Sequence, residues 1–383
     1  MDVLFQLGSL YFSNKCFTMG LISEEKHYNS IIEKIESNGV VFIKIAQILS
    51  SRQRLNGLAH LPGFREKLQN MQDKCFFYSN TVRPEFKYVN EKPIAAGSIC
   101  NVHLIHYKDT VAVIKTTHQD ISAKIDESLG RIDTIRRTCR FFHLKHAMAK
   151  GLYLLDLDDY ADFLKKQINL EKEGQNQAVL RAVFADIPVI CIPQAYVSNK
   201  DYIIMEYLPG MKFPEFIEKN PDRQDEATTL IYCAFYKMVT KGIVHGDFHH
   251  GNFLFRLIDN KVHMTILDFG MMCEFSEEQK VILQTIFNYS IDEKTRNAYF
   301  IKFLHTIDKR FKTMFSNDTP PPILDVLNKI NELEIYIPME LMTLLLTLQN
   351  VHIIISDLKK RKGGAFKTFI IDYAMECGLF DEF

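Results

Sequence analysis

The segment His245-Gly246-Asp247-Phe248-His249-His250-Gly251-Asn252, followed sixteen residues later by Asp268-Phe269-Gly270, restricts this chain more than any other part of it. Moving a phosphoryl group asks little covalent work of a protein. It needs an acceptor oxygen oriented, its proton taken, and the phosphate charge neutralised by a divalent cation. An Asp with an Asn five residues on, across a tight loop, offers a base and a metal ligand to one cleft. Asp247 is therefore assigned as the catalytic base, and Asn252 and Asp268 as the metal ligands, since carboxylate and amide oxygens are the hard donors Mg²⁺ takes. His245 is read as a core histidine that braces the loop through the backbone, and His249 as a second supporting residue. A nitrogen metal site at His249 and His250 is disfavoured, because no third nitrogen or sulfur ligand is in register.

Three weaker signals surround this one. Lys115 closes the apolar, β-branched run Val111-Ala112-Val113-Ile114, downstream of the small-residue stretch Ile94-Ala95-Ala96-Gly97-Ser98-Ile99-Cys100-Asn101-Val102. Small residues let a backbone approach phosphate closely, so this stretch is the expected nucleotide-binding loop and Lys115 a catalytic lysine. A buried lysine needs an acidic partner. Glu173, in the segment Gln167 to Asn176 read as one helix, is the candidate, with Glu171 as its competitor. The run Tyr202-Ile203-Ile204-Met205-Glu206-Tyr207, before Pro209-Gly210, reads as a strand leading into a hinge, with Glu206 and Tyr207 offering backbone groups to adenine.

Periodicity orders these signals along the chain. Residues 28–75 read as helical, broken at Pro62-Gly63. Two antiparallel strands come next within 88–116, then helices to residue 180, strands over 188–206, and a mostly helical remainder. One hairpin interrupts that remainder, Phe253–Phe255 against His263–Leu267 across Asp259-Asn260. With 47% hydrophobic residues and a net charge of −1, the chain reads as globular, with no nucleic-acid partner. Its eight cysteines are scattered and read as reduced thiols. Neither a signal peptide nor a transit peptide is expected. Ile337 to Ser356 reads as a buried helix and not a membrane span, because Glu340, Gln349, Asn350 and His352 interrupt it. Lys359-Lys360-Arg361-Lys362 reads as a solvated loop.

From about residue 30 to about residue 290 the chain resembles the UbiB/ADCK family of atypical kinases. Phe42-Ile43-Lys44-Ile45-Ala46-Gln47 through Arg52 is similar to that family's KxGQ helix, and Pro93 to His103 to its alanine-rich loop. Gln167 to Asn176 resembles its ExD-x₃-E segment, and Leu267 to Gln279 its Asp-Phe-Gly with the residues after it. The resemblance implies that Lys44 and Gln47 cover the cleft where a protein kinase would admit a peptide. It also implies ATPase or small-molecule kinase activity supporting quinone and other lipid pathways at membranes. The sequence departs from the family pattern at Ala46, Gly97, Val113, Gln167 and Asn169. Gly97 bears on nucleotide preference, and Gln167 and Asn169 replace two carboxylates.

The expected architecture is α+β: a bilobal protein-kinase-like fold whose N-terminal helical extension covers the cleft. The extension is expected over 1–80, the N-lobe over 81–207, and a helical C-lobe with the catalytic loop over 208–383. The expected cofactors are ATP and Mg²⁺, and the expected activity is that of an ATPase or a small-molecule or lipid kinase. Two alternatives stand beside it: an aminoglycoside- or choline-type phosphotransferase, and a nucleotide-binding scaffold without turnover. The expected setting is intracellular, cytoplasmic or peripheral to a membrane. A small-molecule or lipid acceptor and peripheral membrane contact are the partners considered, and the oligomeric state is left open.

Overall fold

The computed structural model describes residues 13, 15–44, 83–97, 99–141, 157–288, 291–307, 309 and 339–378. The expected helical stretch after the Pro62-Gly63 break lies outside them up to its end at residue 75. The chain divides into two compact units, one of residues 1–168 with 327–336 and one of 169–326 with 337–383.

In the first unit, helix α1 (Glu24–Ser37) starts at Ser23, whose hydroxyl accepts the Lys26 N–H, and ends at Asn38. The expected continuous helix breaks there. Gly39 takes φ +98°, and a Cβ at that position would lie 2.4 Å from Ser128 Oγ, so only glycine allows both the turn and the approach. Strands β1 (Lys87–Tyr88), β2 (Ala95–Ala96), β3 (Cys100–Tyr107) and β4 (Thr110–Thr117) come next, β1, β2 and β4 each antiparallel to β3. The β3–β4 register runs from Cys100↔Thr117 to Tyr107↔Thr110, across the two-residue turn Lys108-Asp109 where Lys108 has φ +52°. Ile105, Ala112 and Ile114 are buried on one face, as strand alternation requires. Helices α2 (Ile121–Phe141) and α3 (Leu157–Gln167) complete the unit, with Ile125, Ile132 and Leu164 in its core.

The second unit opens with α4 (Leu170–Val183), then β5 (Ile190–Cys191), β6 (Ala195–Ser198) and β7 (Tyr202–Glu206). β6 and β7 form a hairpin whose turn is held by Asn199 Oδ1, which accepts the N–H groups of Asp201 and Tyr202. Helices α5 (Phe213–Lys219) and α6 (Gln224–Thr240) lead to β8 (Ile243–His245). From Ala227 to Val239 only Lys237 of α6 escapes burial, which marks a helix surrounded by protein on all sides. The expected hairpin is present as β9 (Phe253–Ile258) and β10 (Lys261–Ile266). Asp259 and Asn260 have φ +50° and +61°, the two left-handed residues a tight hairpin turn demands. β10 also pairs in parallel with β5, and β11 (Met272–Glu274) pairs with β8. Helices α7 (Glu277–Phe287), α8 (Glu293–Ile307), α9 (Met339–Lys362) and α10 (Phe366–Glu376) close the unit. Ser276 and Gln279 make a reciprocal capping box at the start of α7.

Two expectations are corrected here. The basic stretch 359–362 is not a loop but the last turn of α9. Its Arg361 Nε and Lys362 Nζ each lie 2.7 Å from the carboxylate of Asp225 in the first turn of α6, which pairs cations at a helix C-terminus with an anion at an N-terminus. The segment 167–176 is not one helix either. It breaks at Ile168, and Asn169 caps α4 by accepting the Lys172 N–H at 3.0 Å. Among the described residues no helix is long and apolar enough to cross a membrane.

Candidate active site

Asp247 lies in the second unit, on a loop stitched to the neighbouring chain at several points. β8 delivers the chain to His245, where Met272 of β11 is its partner in register. Gly246 N–H donates to the Met271 carbonyl at 3.0 Å, and Leu267 N–H to the Asn252 carbonyl at 2.8 Å. The residues on either side of Asp268-Phe269-Gly270 are thus tied to both ends of the loop.

His245 is fully buried. Its Nε2 donates to the Leu267 carbonyl at 3.0 Å and its Nδ1 accepts the Asp247 N–H at 3.1 Å. That pair of bonds requires the neutral ring with its proton on Nε2. Burial lowers the pKa of His245, against the opposing pull of the Asp247 charge.

The Asp247 carboxylate is bracketed. His249 Nε2 lies 3.2 Å from Oδ1, and Asn252 Nδ2 donates to Oδ2 at 3.2 Å and to the Asp247 carbonyl at 2.9 Å. His249 Nδ1 accepts the Gly251 N–H at 2.9 Å. Burial opposes a charge on His249, but the carboxylates of Asp247 and Asp268 outweigh it and its pKa is raised. A Cβ on Gly251 would lie 2.6 Å from the His249 ring, so this tight return needs glycine. His250 stacks on Phe213 with ring centroids 4.3 Å apart, and burial lowers its pKa to about 4. Lys212 Nζ donates to the Gly251 carbonyl. Beneath the loop Phe248, Phe253 and Phe269 are buried.

Asn252 spends its amide NH₂ on Asp247, leaving the amide oxygen as the atom that could take a cation. Asp268 is exposed and held at φ +59°, a left-handed conformation uncommon for a residue with a Cβ, and its Oδ1 accepts the Gly270 N–H at 3.3 Å.

Helix α4 fixes the middle of Asp268-Phe269-Gly270. Glu173 is only 1% exposed, and its Oε1 accepts the Phe269 N–H at 3.3 Å. Asn176, three residues on and on the same face, donates to the Phe269 carbonyl at 2.8 Å. Both backbone polar groups of Phe269 are therefore held by α4, whereas Glu171 is exposed. At the end of β7, Glu206 N–H donates to the Gln194 carbonyl at 2.8 Å, and its carboxylate accepts the Gln194 N–H at 3.1 Å. Tyr207 is 39% exposed.

The remaining candidates belong to the first unit. Ile94 N–H donates to the Val102 carbonyl and Gly97 N–H to the Cys100 carbonyl, each at 2.8 Å, so Ala95, Ala96 and Gly97 run into a tight turn back to Asn101. Ile99, Cys100 and Asn101 are buried, and Ser98 lies outside the described residues. Lys115 sits on β4 opposite Val102 and is half-buried. Lys44 is described in the helical turn from residue 40, while Gln47 lies outside the described residues.

Sequence reasoning passed over two residues that touch this machinery. Asn176 carried a signal, its spacing from Glu173. Thr347 of α9 carried none: its buried hydroxyl donates to the Gly246 carbonyl at 3.0 Å from 101 residues away.

A family profile described as the ABC1 atypical kinase-like domain matches residues 74–301, more than half of the chain. An uncharacterized aarF domain-containing protein kinase of Arabidopsis thaliana, named as chloroplastic, is 26% identical over 72% of this chain and 38% of its own length. The Arabidopsis thaliana protein ACTIVITY OF BC1 COMPLEX KINASE 3, also named as chloroplastic, is 25% identical over 70% of this chain and 39% of its own. A probable serine/threonine-protein kinase of Dictyostelium discoideum is 24% identical over 64% and 37%. The chain spans under two-fifths of these relatives' lengths. With its small antiparallel sheet, helical second unit and Asp247/Asp268 loops, this α+β chain belongs to the ABC1 atypical kinase-like family.

Proposed function

We propose that the chain binds Mg-ATP and works as an ATPase or a small-molecule or lipid kinase of the UbiB/ADCK type, and not as a protein kinase. The observation that carries this reading is the Asp247 carboxylate held between His249 and Asn252, on a loop tied to the strand ends around Asp268. A carboxylate oriented by two donors and still half-exposed can accept the proton of a hydroxyl or a water brought to it.

Mg²⁺ suits the donors present. The Asn252 amide oxygen and the Asp268 carboxylate are hard oxygens, one on the catalytic loop and one on the turn tied to it. When bound, the ion neutralises phosphate charge; the protein's own part is to hold those oxygens and aim Asp247. The loop from Ile94 to Val102 takes the phosphates, with Ala95, Ala96 and Gly97 allowing close approach. Lys115 meets them in turn, and Glu173 is kept as the acidic residue expected to accompany such a lysine. The backbone at Glu206 and Tyr207 takes adenine. Because the Glu206 N–H is committed to Gln194, it is the carbonyl that adenine meets. Lys44 and Gln47 cover the cleft.

The short chain after Gly270 disfavours a protein substrate. Residues 271–275 are spent on β11 and the approach to the Ser276 cap, which leaves no length for a peptide platform. The acceptor is water, a small molecule or a lipid met at a membrane surface.

The test is ATP hydrolysis and phosphate transfer by the purified chain, with and without liposomes and lipid acceptors, alongside thermal unfolding with Mg-ADP or Mg-ATP. Binding to the folded state alone raises the midpoint, by about 2.7 kcal/mol of stability at a hundredfold excess over Kd. A midpoint that ignores both nucleotides sinks the reading.

A further inference from the structure

The turn at Gly97 is stapled from outside by one residue. His118, just past the end of β4, is 2% exposed. Its ring Nε2 lies 2.8 Å from the Gly97 carbonyl, and its backbone N–H donates to the Ile99 carbonyl at 2.9 Å. A carbonyl oxygen only accepts, so Nε2 carries the proton. Burial lowers the pKa of His118, with the Gly97 bond opposing, and the ring stays neutral with its Nε2 proton on Gly97.

That bond decides more than the position of one oxygen. His118 holds the turn at two points, the Gly97 carbonyl through its ring and the Ile99 carbonyl through its own N–H. Without such ties glycine reorients with little resistance, because its φ and ψ are weakly restricted. Gly97's own N–H is already spent on Cys100. A small-residue turn of this kind lets a phosphate approach the backbone closely. His118 also lines a cavity of about 200 Å³, with Ile121, Lys124, Ser128 and Arg131.

We propose that His118 is a positioning residue that locks the Gly97 turn in the conformation that receives a nucleotide phosphate. The inference rests on the nucleotide-binding reading above, and its test separates the two.

Binding of Mg-ADP and of adenosine to the full chain is measured for wild type, His118→Leu, His118→Asn and His118→Gln. Glutamine ends in an amide NH₂ where Nε2 stood; asparagine stops short, at the Nδ1 position. The expected result is an Mg-ADP affinity weakened about tenfold or more in the Leu and Asn variants, the scale of one lost hydrogen bond to a charged partner. Adenosine affinity is expected to hold within about threefold, and Gln to restore Mg-ADP binding to within the same margin. Equal weakening of both ligands, or no weakening of Mg-ADP, overturns the role of His118. A wild-type chain that binds neither ligand overturns the nucleotide reading and this inference with it. Should the Leu variant not fold, the Asn and Gln pair decides by the same criteria.

Discussion

The two loops that matter are each braced by a buried histidine giving Nε2–H to a backbone carbonyl, His118 to Gly97 and His245 to Leu267. They differ in how far their supports reach. Every tie described at the Gly97 turn comes from within residues 94–118. The catalytic loop and the Asp268 turn are held by α4 through Glu173 and Asn176, by β11, and by α9 through Thr347. A locally held turn can change orientation without disturbing the core. A loop held by segments distant in sequence is part of the cooperative fold, so a defect in its supports registers as lost stability. Damage to the first loop should therefore appear in ligand affinity, and damage around the second in unfolding.

The sharpest separation of chemistry from support is Asp247→Asn. The amide keeps one acceptor for His249 and gives up the weak Asn252 bond to Oδ2, while Asn252 keeps the Asp247 carbonyl and His245 and Thr347 are untouched; the base is removed. Turnover should fall about 10²-fold or more with nucleotide affinity and unfolding midpoint nearly unchanged. Equal turnover would leave Asp247 a purely electrostatic part.

Thr347→Val keeps shape and removes the only hydroxyl on that side chain, stranding the buried Gly246 carbonyl from its donor. Denaturant unfolding should show a loss of about 1–3 kcal/mol, the cost of an unmet buried polar group. Asn176→Ala should cost about 1 kcal/mol, because it removes one bond to Phe269. Neither loss is expected from His118→Gln. If Thr347→Val leaves the midpoint unmoved and lowers only the rate, the contrast between local and distant support fails.

The same line between local and distant chemistry separates the elements legible in the sequence from those hidden in it. The β9–β10 hairpin is legible because Asp259-Asn260 takes the left-handed pair of φ values that a two-residue turn needs, and this chemistry is local. Glu173 stands out from Glu171 once a buried partner is sought, and the structure buries the first and exposes the second. The capping box at Ser276 marks the start of α7 in the same local way. Strands β8 and β11 are three residues each and are made by pairing across the Asp268 turn, so no periodicity announces them. The break before α4 turns on Asn169 acting as a cap, where the helical pattern alone reads on through it. Thr347 looks like any polar residue in an apolar helix, because its partner is a backbone carbonyl far away in the chain. The basic end of α9 misleads for the same reason: the acid it meets is 136 residues distant from Arg361.

That last pair gives the smallest and most specific test of distant support. Asp225 receives Arg361 Nε on one oxygen and Lys362 Nζ on the other, while Arg361 also donates to Thr228 Oγ1 at 3.3 Å. Burial pushes the Asp225 carboxyl up, but the bonds from Lys362 and Arg361 outweigh that and hold it below the ordinary value. A carboxyl with a lower pKa folded than unfolded adds stability in full above the unfolded value, about 3.9, and loses it as pH falls through the folded one. At pH 7, Asp225→Asn should therefore cost about 1 kcal/mol, the upper end for a partly exposed pair. The gap between wild type and variant should begin to shrink below about pH 5 and close once Asp225 is protonated. The two cations that hold the end of α9 anchor the same helix that carries Thr347 to Gly246, so the closing gap would trace long-range support by charge. A gap that stays constant through the acid range would mean that shape alone, and not the ion pair, holds α9 against α6.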